Sequence, residues 1–319
     1  MDRLIFRAQF ESLLPTIQPA GFKDVGAGTY RNPKDGKLSV VVHSPQATAN
    51  SLEGATWDLL NNKPVEALAG LPYVEIVDQH NNYRASTHTL PHRLASGYLL
   101  KHKDAKLFTQ QLVDDFKQLG EPATVFKYCP NSLLHGVFFS HLGDGRIKMA
   151  RALSASVTAH GCERVAIGGA SHDPIDPSGD VLDTKDLGGK KPSALGMGNL
   201  PYYQEAFAPK TIEGIFIVDL AQIDALGLKE NPTQLLKTLA EYKVARLLSR
   251  PWRIRSGCDL DVPQVEPSPR QLVEFEKELK QLIKDCADDF ADPVKTVVQL
   301  TLKAGKEKGG KGGKSDVDN

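Results

Sequence analysis

The residues with the plainest chemical capacity here are cations in two short runs and one histidine–aspartate cluster. Arg246–Arg255 (RLLSRPWRIR) holds four arginines and no acid, and Arg146–Arg151 (RIKMAR) holds Arg146, Lys148 and Arg151, again without an acid. Such runs suit phosphate groups, which are held by positive charge and guanidinium forks and need no reactive nucleophile. The alternative for each run is an ordinary solvated face. Arg253 and Arg255 alternate on an expected strand, so both should point to one face. Ser44-Pro45-Gln46, with Asn50 one turn on, opens an expected helix. Free N–H groups and the helix dipole favour a phosphate there; a capped helix start with no ligand is the other reading. His172, Asp173, Asp176 and Asp180 lie together in HDPIDPSGD. That set suits a hard metal ion, or a loop of Asx turns.

Several patterns imitate chemistry and fail on spacing. GGKGGKS at Gly309–Ser315 looks like a phosphate-binding loop, but the position that needs the first glycine is Lys308. His88 and His92 stand four apart yet straddle Pro91 and lack a nearby acid, so they make a poor metal pair. No nucleophile elbow, zinc-protease helix, calcium loop or aromatic RNA-recognition signature occurs. Two classes stay open on the residues alone: a nucleic-acid-binding or assembly subunit without a catalytic centre, and an enzyme whose residues are scattered.

The elements that must position these residues belong to an ordinary globular chain. Of 319 residues, 40% are hydrophobic and 24% charged, which excludes wholesale disorder and a coiled-coil rod. Basic and acidic residues number 39 each, so a uniformly basic nucleic-acid binder is excluded while a local basic surface is not. The balance hides an acidic stretch, Asp259–Asp292, with ten acids against four bases. No apolar run approaches the ~18 residues of a membrane span, and MDRLIFRAQFESLLP is not expected to be a signal peptide. Cys129, Cys162, Cys258 and Cys286 are far apart in sequence, which fits a reducing cytoplasm better than a zinc site or disulfides.

GKLSVVVHS reads as a buried strand, followed by a helix from Ser44 with Pro45 at its first position. Leu52, Thr56, Leu59 and Leu60 give that helix an apolar stripe. YVEIVD is a strand, and LFTQQLVDDFKQLG is a helix stopped by Gly120. IKMARALSASVTAHG reads as a helix entered from a short strand, and RVAIGGA as a strand. IEGIFIVDL, the helix NPTQLLKTLAEYKVARLLS, the strand WRIRSGCDLDV and a helix capped by Ser268 complete the series. From Gly168 to Pro209 the chain is rich in Gly, Pro, Asp and Ser, a length of irregular sequence that is usually functional or disordered. The fold class expected is α+β with a β-α-β-β-α-β core.

Several blocks, taken in order, resemble one family. They are PAGFKDVGAGTY with VVHSPQATANSLE, LPHRLASGYLL, SLLHGVFFSHLGDGRIKMARALSA, GMGNLPYYQ, VDLAQIDALGL and WRIRSGCDLDV, spanning about residues 18–262. Together they are similar to the Cas-seven backbone subunits (RAMP superfamily, Csb-one family) of type I-G, formerly I-U, CRISPR effector complexes.

The resemblance implies a single hand-shaped domain over residues 1–303. Its palm is a modified RRM-like, ferredoxin-like core, with a finger insertion at about 61–130 and a thumb at about 168–209. Low-complexity composition, not the resemblance, makes residues 304–319 an expected disordered Lys/Gly tail. Such subunits polymerise head to tail along a CRISPR RNA, which then pairs with target DNA. They act with other effector-complex subunits and a recruited helicase-nuclease, in the cytoplasm and away from membranes. No catalysis, cofactor or metal is expected. A rival within the superfamily is a metal-dependent RNA nuclease using Asp173 or Asp176. For the guide, the resemblance and the residue types assign Ser44, Gln46, Asn50, Arg146, Lys148, Arg151, Arg253 and Arg255. They add Met197 and Asn199 in a glycine-flanked turn, Arg93 as an exposed cation, and His135 as either an RNA contact or a buried structural histidine. Leu182, Leu187 and Leu195 are the wedge candidates of the thumb, and Lys190 and Lys191 its contacts to the target strand.

Overall fold

The computed structural model describes residues 2–22, 26–142, 145–178 and 185–302. Asp180, Leu182 and the tail from 304 lie outside the described residues. The elements that matter for the site are, in chain order, β1 (Arg3–Phe10), β2 (Thr29–Arg31), β3 (Leu38–His43), α1 (Pro45–Gly54), β4 (Tyr73–Asp78), β5 (Tyr83–Ser86), α2 (Lys106–Leu119), α3 (Glu121–Tyr128), α4 (Pro130–His135), β6 (Val137–Leu142) and β7 (Gly145–Met149). There follow β8 (Leu153–His160), β9 (Glu163–Ser171), β10 (Leu200–Ala208), β11 (Thr211–Asp219), α5 (Glu230–Leu248), β12 (Trp252–Arg255), β13 (Cys258–Leu260), β14 (Gln264–Glu266), α6 (Leu272–Asp285) and β15 (Lys295–Leu300). Helices and largely antiparallel sheets are mixed, as an α+β reading requires.

Among the described residues the main sheet runs β14-β1-β11-β8-β3-β2. All its pairings are antiparallel, with β1 and β11 in register from Arg3↔Asp219 to Phe10↔Ile212. Helix α1 packs on β8, and α5 packs against α1 and α6. A second sheet sets β15 parallel to β4, with β5 antiparallel on the other side. Strands β9 and β10 pair with each other over nine residues, from Glu163↔Ala208 to Ser171↔Leu200, as a separate two-stranded arm. No helix among the described residues is long and apolar enough to cross a membrane.

Helix α1 begins where expected. Ser44 has an extended backbone, and its Oγ accepts from Ala47 N at 3.3 Å, with Pro45 at the first helical position. Its buried face is Thr48, Ala49, Leu52 and Glu53. The expected extension of its stripe to Leu59 and Leu60 is wrong, since they are 73% and 93% exposed. Thr56 Oγ1 donates back to Glu53 O at 3.0 Å, and Asp58 then accepts from the backbone of Leu60 and Asn61, turning the chain away.

Three further expectations are corrected. The helix read over IKMARALSASVTAHG is two strands, β7 and β8. In β8, Leu153, Ala155, Val157 and Ala159 are buried while the residues between them are half-exposed. That is the two-residue period of a strand, and the slot between β3 and β11 overrides the helix preference of alanine. WRIRSGCDLDV is a hairpin of β12 and β13 rather than one strand. Helix α6 starts at Leu272 after Gln271, with no side-chain cap, because Ser268 is followed by Pro269 in an extended segment.

Candidate nucleic-acid interface

The start of α1, the segment 91–95, the end of α4 and the strands β6 and β7 meet at a groove of about 420 Å³. Gln46, Arg93, His135, Lys148 and Arg151 line it, with Phe138 and His92. Residues separated by more than a hundred positions are brought here because β8, which follows Arg151, pairs with β3, which leads into Ser44.

Arg151 organises the junction. Its guanidinium donates to Pro45 O at 3.2 Å, to Gln46 Oε1 at 3.1 Å and to His135 O at 3.3 Å. Burial lowers its pKa first, with the charge of Arg93 acting in the same direction. Ser44, Gln46 and Asn50 are exposed along the first turns of α1, Gln46 and Asn50 one turn apart on a shared face. On β7, Arg146 and Lys148 are both exposed, two residues apart and therefore on the same side. Phe138 lies opposite Lys148 across the β6–β7 pair and is 49% exposed. A cation facing an exposed ring is the pairing that single-stranded nucleic acid takes, with phosphate on one and a base on the other. Phe138 does not stand out in the sequence; its signal is the alternation with buried Phe139 in VFFSHL.

Arg93 is not the exposed cation expected. It is 5% exposed and forms a two-pronged pair with Glu53, Nε to Oε1 and Nη2 to Oε2 both at 2.7 Å. Nη1 reaches Gly136 O at 3.4 Å, and Asn131 Nδ2 donates to the same Glu53 at 2.6 Å. Leu94 and Leu99 go into the core and draw Arg93 to the buried carboxylate of α1, so its donors are spent inside the protein. His135 takes the buried alternative at 1% exposure. Burial pushes its pKa well below the usual histidine range, with Lys243, Arg93 and Arg151 adding repulsion. The groove is thus floored by a buried ion pair and a neutral histidine, while Lys148, Arg146 and Phe138 face outward.

The other candidates lie elsewhere. Met197 and Asn199 belong to the loops at the far end of the β9–β10 arm, about 30 Å along nine-residue strands from its base. Asn199 is engaged locally, its Oδ1 accepting from Asp173 N at 2.7 Å and its Nδ2 donating to Pro177 O at 2.7 Å. Leu187 is half-buried there, and Lys190 and Lys191 are exposed. Asp173 is a loop staple: backbone N–H groups of Ile175, Asp176 and Gly198 hold its carboxyl below the usual range. Among the described residues no three His, Cys, Asp or Glu are grouped to hold a metal ion.

Arg253 and Arg255 are both exposed, but a bulge between them interrupts the alternation that was to align them. Trp252 anchors the hairpin by packing on Phe10 and His43. Arg253 Nε pairs with Asp259 across the hairpin at 3.0 Å, and Arg255 Nη1 donates to Pro19 O at 3.1 Å. Arg255 lines a second groove, of about 500 Å³, with Tyr203, Gln18 and Gln204. Tyr203 is 76% exposed and was missed in the sequence. The acidic α6 instead takes Arg246, through Glu276 at 3.7 Å. Because the Arg253 side chain is 70% exposed, Arg253→Ala should lower stability by less than about 1 kcal/mol in chemical denaturation. A larger loss would show the pair to be structural.

Residues 14–164, just under half of the chain, match the model of the family described as CRISPR-associated protein GSU0053 (Cas_GSU0053). No curated protein matches the sequence. The chain is also similar to a solved structure described as a CRISPR RNA-guided surveillance complex, pre-nicking, at 13% identity, with 90% of this chain and 86% of that one covered and a TM-score of 0.41. A crystal structure of Thermofilum pendens Csc2 is similar at 13% identity over 89% and 76% of the two chains, with a TM-score of 0.31. The family match is thus to a CRISPR-associated protein, and it spans α1, Arg93, His135, Lys148 and Arg151.

Proposed function

We propose that this chain is a Cas-seven-type backbone subunit of a type I-G CRISPR effector complex, binding the CRISPR RNA without cutting it. The observation that carries this reading is the single groove uniting the capped start of α1 with Lys148 and Arg151, inside the segment that matches a CRISPR-associated family. The palm is the main sheet. The strand order β14-β1-β11-β8, with α1 and α5 as the intervening helices, supports a ferredoxin-like core to which β3 and β2 add an edge. The segment at about 61–130 is the finger, and the arm with its loops at about 168–209 is the thumb. Exposed Leu195, Lys190 and Lys191 there would meet the guide–target duplex.

Copies assemble head to tail along the guide, a heterologous contact that forms an open array. A chain of zero net charge favours such stacking over the self-repulsion of a strongly basic one. Target DNA is read by the guide, and cleavage falls to a recruited helicase-nuclease. No observation favours the nuclease alternative, because the Asp173 carboxylate is already occupied by three backbone donors.

Co-expressed with its partner subunits and a CRISPR array, the protein should co-purify with RNA of uniform length, bound with little regard to its sequence because phosphates dominate the contacts. The double variant Arg146→Ala, Lys148→Ala should flatten the slope of log K against log salt by about 1.4 and weaken RNA binding roughly tenfold near 0.15 M salt. Protein free of RNA, or a double variant that binds RNA normally, overturns the reading.

A further inference from the structure

The opposite end of the main sheet carries a second basic concavity that the guide groove does not use. It is a cleft of about 1030 Å³ between the edge strand β2 and the base of the β9–β10 arm, lined by Tyr30, Arg31, Lys37, Arg164 and Lys210, with Glu163 as the acid among its lining residues. Strand β3 runs from Leu38, at this cleft, to His43, beside the α1 cap, a span of about 17 Å. Strand β8 gives about 23 Å between Leu153, after Arg151, and His160, before Gly161. The cleft and the groove are therefore separate sites on one rigid sheet.

The cations of the cleft differ in what they are already doing. Arg31 donates to Gly36 O at 3.0 Å, and Arg164 pairs with Glu205 while lying over the Phe207 ring. The ammonium groups of Lys37 and Lys210 make no ion pair or hydrogen bond among the described residues, and both side chains are exposed. Their stems are nevertheless placed by the turn after β8. Gly161 has φ +62, and a Cβ there would come within 3.0 Å of Lys210 Cβ and 3.9 Å of Lys37 Cδ. Two cations without a counter-ion among the described residues thus border one glycine in a concave surface. A polyanion entering the cleft would meet both with their charge unspent. Tyr30, 45% exposed on the adjoining strand, adds a ring at the rim. A groove of cations with an aromatic face beside it is the recognition mode of a single nucleic-acid strand: phosphates along the groove, a base on the ring.

We infer that this cleft is a second binding site for a single strand of nucleic acid, separate from the α1 groove and contacting phosphates through Lys37 and Lys210. The strand is either another stretch of the guide or the target strand paired with it, and the phosphate chemistry is common to both.

The test compares wild type with Lys37→Glu/Lys210→Glu in the assembled complex, by RNA content per protein and by affinity for a complementary DNA strand. A third arm measures oligo-dT of about 20 nucleotides across salt from about 0.05 to 0.3 M. Loss of two phosphate contacts should weaken one of these arms roughly tenfold near 0.15 M and flatten its salt slope by about 1.4, at unchanged melting temperature. A drop in RNA content identifies the guide as the occupant; a drop confined to the DNA arm identifies the target strand. The oligo-dT arm reads the cleft even if wild type carries no RNA, so it separates this inference from the guide-binding proposal. Should the charge reversal fail to fold, Lys37→Gln/Lys210→Gln replaces it, with the same direction and a smaller drop. Affinity and slope unchanged in all three arms overturn the inference.

Discussion

Glu53→Gln is expected to destabilise the protein by about 3–5 kcal/mol, the cost of leaving a buried charge without its partner. Glu53 and Arg93 are each about 5% exposed, and the carboxylate takes both prongs of the guanidinium as well as the Asn131 amide. A second buried cation depends on it. Lys243, from α5, is 1% exposed and donates to Thr56 Oγ1 at 2.9 Å. Burial lowers its pKa to about 8, and the charge of Glu53 is what opposes that fall. Glutamine keeps the shape and removes the charge, so Arg93 loses its counter-ion and Lys243 its main support. The loss should appear as a lower denaturant midpoint with unchanged slope. The companion variant Glu53→Leu/Arg93→Met should recover part of it, since it removes the orphaned guanidinium but still leaves Lys243 without the Glu53 charge and Asn131 without its acceptor. A Glu53→Gln loss below about 1 kcal/mol would mean that water reaches the pair and that the groove floor is not closed.

This pair also marks the limit of what the sequence reveals. Signals confined to neighbouring residues were legible: the Ser44-Pro45 start of α1, the run of valines in β3, the stop of α2 at Gly120. Signals that depend on a distant partner were not. Alanines in β8 read as helix because nothing local states that two strands wait on either side. Arg93 reads as a solvated cation because its carboxylate is forty positions earlier. The chemistry of the groove was legible in pieces, since the Ser44–Asn50 helix start and the Arg146–Arg151 run stood out as two separate clusters. Their union was not, because it follows from the β3–β8 pairing. The two exposed rings, Phe138 and Tyr203, were missed for the same reason: exposure of one aromatic in an apolar run is decided by the strand's register, which only the partner strand fixes.

Acid should unfold this protein more readily than its carboxylates alone require, because of two histidines beneath the groove. His88 and His135 are 6% and 1% exposed, and neither has a hydrogen-bond partner for either ring nitrogen among the described residues. His88 stacks on Trp57, with centroids 4.9 Å apart and planes 21° from parallel. Burial lowers its pKa to about 3, with Lys243 and then Arg93 adding repulsion. His135 is shifted the same way by burial and by Lys243, Arg93, Arg151 and His88. In the unfolded chain both titrate near 6.5. Between pH 6.5 and about 3 the unfolded state therefore binds more protons than the folded state, and stability falls as pH falls through that window. His88 alone should remove about 3 kcal/mol between pH 6.5 and 4. His88→Phe keeps a ring over Trp57 and deletes both unpartnered nitrogens, so at pH 7.5 it should be neutral or stabilising. On acidification the difference between wild type and variant should widen in the variant's favour by that same amount, because carboxylate protonation is common to both and cancels. Chemical denaturation of the two proteins across the window measures this directly. Parallel profiles would show that His88 takes up its proton in the folded state, through a partner or a water that its buried ring does reach, and the dry, positively charged floor of the groove would have to be redrawn.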